Sequence, residues 1–302
     1  MRSSIPGLFL LLALPLINGY KVVLGNDDGW AEAAVRAQFS ALDNAGFEVL
    51  LSCPAFDKSG TGPLTIIPVP VLLPCEYNSC PAGSPAIGFN KSDPRLNYVN
   101  AFPLDAMNYG IDELKLLGGA PDLAVAGPNV GNNVGLLLVS GTVNAARVAA
   151  LAGVPSIAFS GSQSDSLSHV SYTTLKSAPN SANTVASNLY AQLSLKLINA
   201  LLHSPGPFLP AGISLNVNYP SISGCPKVSN YKFVLTRVLP NPLVEDVETC
   251  GTNHLPVESN VVGKSGCFVS VSVFHAQSYS DVNSATQKIV LDRLGSFLSC
   301  VS

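Results

Sequence analysis

The first part of the chain alternates short apolar runs with a helical pattern. Residues 21–25 form an apolar run that predicts a buried strand. Apolar residues then recur at the spacing of one helix face, at Ala31, Val35, Phe39 and Leu42. Gly46 ends this helix, and residues 47–52 predict a second buried strand. Because a strand, a helix and a strand in this order form a parallel unit, the loop after the first strand lies at the carboxyl edge of the predicted sheet.

The same alternation returns in the middle of the chain. It predicts a strand over 121–126, a loop over 127–135, a helix over 140–153 and a strand over 155–160. Continuous apolar strands of this kind are buried on both faces. The sequence therefore predicts an α/β fold whose mostly parallel sheet is covered by helices on both sides.

The remaining segments complete this picture. Residues 61–100 are rich in Pro, Gly and Ser and predict hairpins and loops. Further elements are predicted as helices over 103–117, 187–202 and 281–298 and as strands over 213–218, 231–238 and 267–274. We interpret residues from about 20 to 205 as the core, and those from about 206 to 302 as a C-terminal β-rich and helical extension of the same domain.

The chain begins with a segment typical of a secretory signal. Arg2 precedes an apolar run over 8–17, and Asn18-Gly19 ends it with small or polar residues. Such a run is too short to span a bilayer, which needs about twenty apolar residues. The alternative is an ordinary strand or helix at the chain start. We predict a signal peptide over 1–19, a single domain over 20–302, and a secreted, extracellular protein without a membrane anchor.

Composition removes several classes of protein. With 47% hydrophobic and 12% charged residues, the chain is neither disordered nor a coiled coil nor a collagen-like fibre. Its formal net charge of −3 provides no electrostatic surface for a nucleic-acid polymer or an anionic membrane.

The seven cysteines indicate an oxidising compartment, since no Cys-x-x-Cys pair suggests a metal site. Cys75 and Cys80 flank a short polar loop and predict a local disulfide. Two more bridges are expected among the last four cysteines, in a pairing that the sequence leaves open: Cys225, Cys250, Cys267 and Cys300. Cys53 ends an apolar run and is expected to be the unpaired, buried thiol. Asn90 begins an Asn-Lys-Ser sequon and is a candidate glycosylation site.

Two adjacent acids follow the first predicted strand. Asp27 and Asp28 repel each other and are costly to desolvate together, and a bound divalent cation removes that cost. Oxygen ligands suit Mg²⁺, Mn²⁺ or Ca²⁺. The alternative is a solvated turn in which Asp28 caps the next helix.

Other loops are expected at the same edge of the sheet. The loop over 57–62 offers the Ser59 hydroxyl and the Lys58 cation, and Asn129 offers an amide oxygen. The helix that opens with Ser140 and Gly141 places N–H groups and a positive dipole end there. Taken singly, these features are also typical of a flexible turn and of an ordinary N-cap. Together they favour a metal-assisted phosphoryl site.

At this point the sequence resembles a known family, the SurE-like survival-protein nucleotidases and acid phosphatases. The similar motifs follow in the family's order: Gly25-Asn-Asp-Asp-Gly29, Ser59-Gly60, Gly127-Pro-Asn-Val-Gly-Asn-Asn133, Ser140-Gly-Thr-Val143, Asn216-Val-Asn-Tyr-Pro220 and Phe268-Val-Ser-Val-Ser272. The resemblance covers nearly all of the chain after residue 19.

The resemblance implies a Rossmann-like three-layer core, an exchanged C-terminal extension and a homodimer or homotetramer. It also implies hydrolysis of small phosphate monoesters, often nucleoside monophosphates. The implied divalent metal is held by Asp27, Asp28, Ser59 and Asn129. In our hypothesis Asp27 and Asp28 are the catalytic residues, and the nucleophile is a metal-activated water or one of these carboxylates. The residues assigned to phosphate binding are Asn26, Gly60, Ser140, Gly141 and Thr142.

Two segments depart from the family pattern. Asp57-Lys58 stands where many relatives carry Asn and Arg, and Ala101-Phe102-Pro103 replaces a Gly-Thr-Pro segment. The second change favours an alternative, a secreted metal- and phosphate-binding protein that has lost turnover. The spacing of the four histidines indicates no metal site: His169, His203, His254 and His275.

Overall fold

The computed structural model describes residues 19–116, 118–162 and 167–301. The predicted signal peptide lies outside these residues, apart from Gly19. None of the described helices has the length and apolarity needed to cross a bilayer.

The elements follow the predicted alternation. The strands are β1 (Lys21–Gly25), β2 (Glu48–Pro54), β3 (Ile87–Asn90), β4 (Asp93–Val99), β5 (Leu123–Asn129), β6 (Ser156–Ser160), β7 (Ile213–Asn218), β8 (Lys232–Thr236), β9 (Phe268–His275) and β10 (Ser280–Asp281). The helices are α1 (Ala33–Asn44), α2 (Pro103–Leu116), α3 (Gly141–Leu151), α4 (Thr174–Ser177), α5 (Ala182–Leu201), α6 (Glu258–Val262) and α7 (Ser284–Leu294). Short 3₁₀ turns occur at Glu76–Asn78, Val228–Asn230 and Gly295–Phe297.

The strands form one sheet in the order β10-β9-β7-β6-β5-β1-β2-β4-β3, with β8 paired to β9. The strands from β7 to β4 run parallel to one another, whereas β3, β9 and β10 are antiparallel to their neighbours on this path. The prediction of an α/β fold with a mostly parallel sheet is therefore confirmed.

Helices cover both faces of the sheet. Alternate residues of β1 point to opposite sides, so Val22 and Leu24 belong to one apolar cluster and Val23 to another. The first cluster includes residues of α1 and α5, and the second includes residues of α2 and α3. Burial on both faces explains why these strands are apolar along most of their length.

The clearest differences from the sequence-based expectation concern two helices and the segment between β2 and α2. Helix α5 begins five residues earlier than predicted, because the Ser181 side chain accepts the N–H of Thr184 and caps it. Helix α7 is shorter than predicted and begins after its cap residue Asn283. The segment predicted as hairpins contains β4, which pairs with β2 and so extends the central sheet.

Disulfides join Cys75 to Cys80, Cys225 to Cys267, and Cys250 to Cys300. The last two lie in the C-terminal extension. Cys53 is free and buried, as its place at the end of an apolar run predicts. Burial raises the pKa of its thiol well above the ordinary value, which keeps it in the unreactive protonated form.

Candidate functional site

The acidic pair lies directly after β1, at the carboxyl edge of the sheet. Asp27 and Asp28 are only 3% and 1% exposed. Burial, and then the neighbouring charge of Asp28, raises the pKa of Asp27 to about 7. Burial also raises the pKa of Asp28, against the opposing effect of a hydrogen bond with His169. Two buried like charges side by side are electrostatically unfavourable unless a cation or a proton compensates them.

The loop after β2 reaches this pair through its backbone. The N–H of Lys58 donates to the main-chain oxygen of Asp27 at 2.8 Å. Ser59 is exposed, and its N–H and hydroxyl donate to Asp57 Oδ1 at 2.7 and 2.6 Å. Gly60 has a φ of +72°, a backbone conformation that favours glycine. The loop is thus joined to Asp27 through Lys58, and the Ser59 hydroxyl is bonded to Asp57.

The glycine-rich loop after β5 reaches the other acid. The N–H of Val130 donates to Asp28 Oδ2 at 3.0 Å. The side-chain amide of Asn129 donates to the carbonyl of Gly131 at 2.7 Å. The side-chain oxygen of Asn129 accepts no hydrogen bond within the described residues, so this oxygen is available to coordinate a metal ion.

Helix α3 begins against Asp27. The Thr142 hydroxyl donates to Asp27 Oδ1. A Cβ on Gly141 would lie 2.8 Å from Asp27 Oδ2, so only glycine allows this approach. The hydroxyl of Ser140 accepts the N–H of Val143 and caps the helix. The backbone N–H of Ser140 donates to the carbonyl of Leu136, so only the hydroxyl hydrogen of Ser140 is available to a ligand.

Asn26 precedes the acidic pair. Its amide donates to the carbonyl of Gly29 at 3.0 Å, which holds the loop closed. Its Oδ1 is buried and has no partner in the described part of the chain. As an acceptor, this oxygen suits a cation or a protonated group better than an anionic phosphate.

The structure brings the predicted loops together around Asp27 and Asp28, but not every predicted residue contacts these acids directly. Ser59 and Asn129 approach the acids through their neighbours Lys58 and Val130. Gly60 is exposed, with no atom within 4 Å of the position a Cβ would take.

His169 is a site residue that the sequence did not predict. Its Nε2 lies 2.9 Å from Asp28 Oδ1, although 141 positions separate the two residues. Ligand atoms of Asp28, Asp57 and His169 all lie within 4.8 Å of one another. The hydrogen bond to Asp28 raises the pKa of His169 to about 9.

Backbone pairing fixes the position of this histidine. The N–H of Ala33 donates to the carbonyl of Val170 at 3.0 Å, and the N–H of Tyr172 donates to that of Ala31 at 2.9 Å. These bonds tie the segment that follows His169 to the start of α1. No spacing in the sequence signals such a pairing between distant segments.

Two glutamates complete the acidic surroundings. Glu32 caps α1 through Oε2, and its buried Oε1 has no partner within the described residues. Glu76 accepts the N–H of Asp57 at 2.8 Å through Oε1, and its Oε2 is likewise unpartnered there. Burial is the first cause that raises the pKa of each carboxyl group. Within the described residues, the ligand atoms close enough together to share a divalent cation are those of Asp28, Asp57 and His169. The charge of Asp28 adds to the raised pKa values of Glu32 and Glu76.

Comparison with known proteins agrees with this architecture. The family model described as Survival protein SurE matches residues 22–243. An acid phosphatase of Yarrowia lipolytica is 32% identical over 287 residues, which cover 83% of this chain and 78% of that protein. A 5'-nucleotidase SurE of Lawsonia intracellularis is 31% identical over 203 residues, 67% of this chain and 66% of that protein.

A solved structure supports the fold. The SurE protein from Aquifex aeolicus superposes with a TM-score of 0.55 at 20% identity, and the match covers 90% of this chain and 98% of that one. The family-model match spans most of the chain, and the Yarrowia relative aligns with most of both proteins. This chain belongs to the SurE family of nucleotidases and acid phosphatases.

Proposed function

We propose that this protein is a metal-dependent phosphomonoesterase that hydrolyses small phosphate esters, either nucleoside monophosphates or the broader range of an acid phosphatase. One observation carries the proposal. Two adjacent buried carboxylates, Asp27 and Asp28, lie at the carboxyl edge of a parallel sheet, and Asp27 lies against the N-terminus of α3. The relatives named acid phosphatase and 5'-nucleotidase support the same reaction class.

A divalent ion suits the acidic corner. The family resemblance assigns it to Asp27, Asp28, Ser59 and Asn129, and ligand atoms of Asp57 and His169 lie within 4.8 Å of that of Asp28. Bound there, Mg²⁺, Mn²⁺ or Ca²⁺ would neutralise charge on phosphoryl oxygens, the main requirement of phosphoryl transfer.

The chain's own groups would bind and orient the phosphate. The backbone N–H groups of Gly60 and Gly141 make no hydrogen bond within the described residues. They are therefore available to phosphate oxygens, together with the hydroxyl of Ser140 and the dipole of α3. Thr142 keeps Asp27 in place, and His169 does the same for Asp28. Fixed donors of this kind stabilise charge that develops in the transition state.

Several properties suggest a secreted enzyme. Three disulfides are typical of an oxidising compartment. Asn90 lies at the turn between β3 and β4, where its side chain accepts the N–H of Ser92. We propose a secreted glycoprotein with a glycan at Asn90, and a homodimer or homotetramer as the assembled form.

Phosphate release after metal removal tests the proposal. The purified protein is stripped with EDTA and assayed with p-nitrophenyl phosphate and AMP, before and after addition of Mg²⁺ or Mn²⁺. We expect activity to disappear and return with the ion. When Asp28→Asn is assayed in the same way, Asp112→Asn is its matched control. Asp112 is an exposed aspartate that pairs only with Lys115 within the described residues. If the ion and phosphate bind without turnover, the protein is instead a binding protein.

A further inference from the structure

A lysine with aromatic neighbours lies beside the acidic pair. Lys58 Nζ lies 5.8 Å from the ring centroid of Phe56 and 5.9 Å from that of Phe102. All three side chains are partly exposed. Within the described residues Lys58 forms no ion pair, so its ammonium group has ring faces near it and no carboxylate at ion-pair distance.

Both ring-bearing segments border the corner where phosphate is expected. The backbone N–H of Lys58 is hydrogen-bonded to Asp27 at 2.8 Å. Pro103, which follows Phe102, has its Cγ 3.0 Å from the position a Cβ on Gly141 would take. That same position is 2.8 Å from Asp27 Oδ2. The two phenyl rings are therefore carried by the segments that frame the mouth of the site.

The backbone that carries Phe102 is fixed before any ligand binds. Its N–H donates to Asp105 Oδ2 at 3.2 Å, and its carbonyl accepts the N–H of Ala106 at 3.0 Å. Asp105 also accepts the N–H of Ile66 at 3.0 Å. Since the ring's backbone is already ordered, little ordering is required when a ligand packs against it.

We propose that Phe56 and Phe102 form a leaving-group subsite that selects phosphomonoesters carrying an aromatic ring. Lys58 would hold the phosphate end by a charge-assisted contact, while a flat ring of the leaving group packs on a phenyl face. The inference rests on the proposed phosphatase function and adds a substrate class to it. An aliphatic ester has no ring to place there.

Paired substrates test this selectivity. We would measure kcat/KM for phenyl phosphate against glycerol phosphate, and for AMP against ribose 5-phosphate. The first pair reports on a ring attached directly to the ester oxygen, and the second on a ring carried by a ribose. The variants are Phe56→Leu and Phe102→Leu, which keep apolar bulk and remove the ring. The control is Phe89→Leu, since Phe89 is a 58% exposed phenylalanine on the sheet-edge strand β3.

The proposal predicts an unequal effect. Each ring removal should lower kcat/KM about fivefold to tenfold for the aromatic member of at least one pair, and leave the aliphatic member within about twofold. Phe89→Leu should change neither. Equal losses for both members of each pair, or no loss in either variant, would overturn the subsite.

A binding measurement separates this inference from the proposed activity. Phenylphosphonate and methylphosphonate are not hydrolysed, and calorimetry gives their affinities whether or not the protein turns over. Wild-type protein should bind phenylphosphonate more tightly, and Phe102→Leu should remove about fivefold of that preference. A wild-type protein that hydrolyses no ester defeats the proposed function alone. Equal affinities for the two phosphonates defeat the subsite alone.

Discussion

Two buried acidic regions of the same molecule differ in how their carboxylates are partnered. At the end of β1, Asp27 and Asp28 lie side by side; Thr142 donates to Asp27, and Val130 and His169 are bonded to Asp28, yet burial and the neighbouring charge still raise the pKa of Asp27 to about 7. In the C-terminal extension Glu258 is equally buried. Three groups donate to it: the N–H of Gly135 at 2.6 Å, the hydroxyl of Ser272 at 2.7 Å and the amide of Asn216 at 3.1 Å.

The difference separates a structural acid from a candidate ligand-binding one. A buried polar group whose hydrogen bonds are filled holds segments together, and Glu258 ties the loop ending at Gly135 to β7 and β9. Around the acidic pair, buried oxygens of Asn26, Glu32 and Glu76 have no partner within the described residues. Unfilled acceptors that surround paired carboxylates are expected where a cation binds.

The largest expected effect comes from removing one charge of the acidic pair. Asp28→Asn should lower kcat for p-nitrophenyl phosphate by about 10²–10³-fold or more, because the cation that would stabilise the phosphoryl group loses a charged ligand. The protein should remain folded, because the loss of the ion pair with His169 is offset by the removal of one of two repelling charges. Steady-state kinetics and urea unfolding in EDTA measure the two quantities. Retained turnover, or loss of activity through unfolding, would contradict the account.

A smaller effect is expected from the pH dependence of Glu258. Burial raises its pKa from 4.5 to about 7, so the folded protein keeps a proton that the unfolded chain releases. The stabilising contribution is therefore complete below about pH 4.5 and is lost as the pH rises to about 7, a change of roughly 3 kcal/mol.

The Glu258→Gln variant isolates this contribution. Glutamine has no proton to release, so the variant should lack that part of the pH dependence, while the share due to Asp27 remains. Urea unfolding of both proteins in EDTA, from about pH 4 to about pH 8, gives the difference. Parallel stability curves for the two proteins would show that the pKa of Glu258 is the same in the folded and unfolded chain, so that its hydrogen bonds compensate its burial.

The smallest expected effect concerns two helix caps, one in the site and one remote. Ser140 caps α3 by accepting the N–H of Val143, and Asn283 caps α7 by accepting that of Thr286. Alanine at either position should cost about 1 kcal/mol of unfolding free energy. Only Ser140→Ala should also raise KM, because its hydroxyl faces the phosphate in our proposal. Equal kinetics in the two variants would remove Ser140 from the site.

The sequence was sufficient for the core of the fold because burial on both sheet faces leaves a strong signal. The apolar runs at β1, β2, β5 and β6 are nearly uninterrupted, and the glycine-rich loops follow them. It was weaker at element ends and at the sheet edge. Helix α5 depends on a single cap, and β4 contains Asp93, Pro94 and Arg95, which hide its place in the sheet.

In the candidate site, too, some residues could be predicted from the sequence and others could not. Asp27 and Asp28 were found because two adjacent acids after a strand are unusual on their own. His169 and Glu76 were missed, because they reach the site through tertiary contacts: a backbone pairing with α1 and a loop closed by the Cys75–Cys80 disulfide. Neither contact leaves a local pattern in the sequence.

Binding of Mn²⁺ tests the central claim most directly. The protein is stripped with EDTA, dialysed and titrated with Mn²⁺ while electron paramagnetic resonance reports the free ion. The account predicts about one tightly bound ion per chain in the wild type and in Glu258→Gln, and loss of that binding in Asp28→Asn. Absence of binding in the wild type, or equal binding in Asp28→Asn, would contradict the assignment of the acidic pair as the cation site.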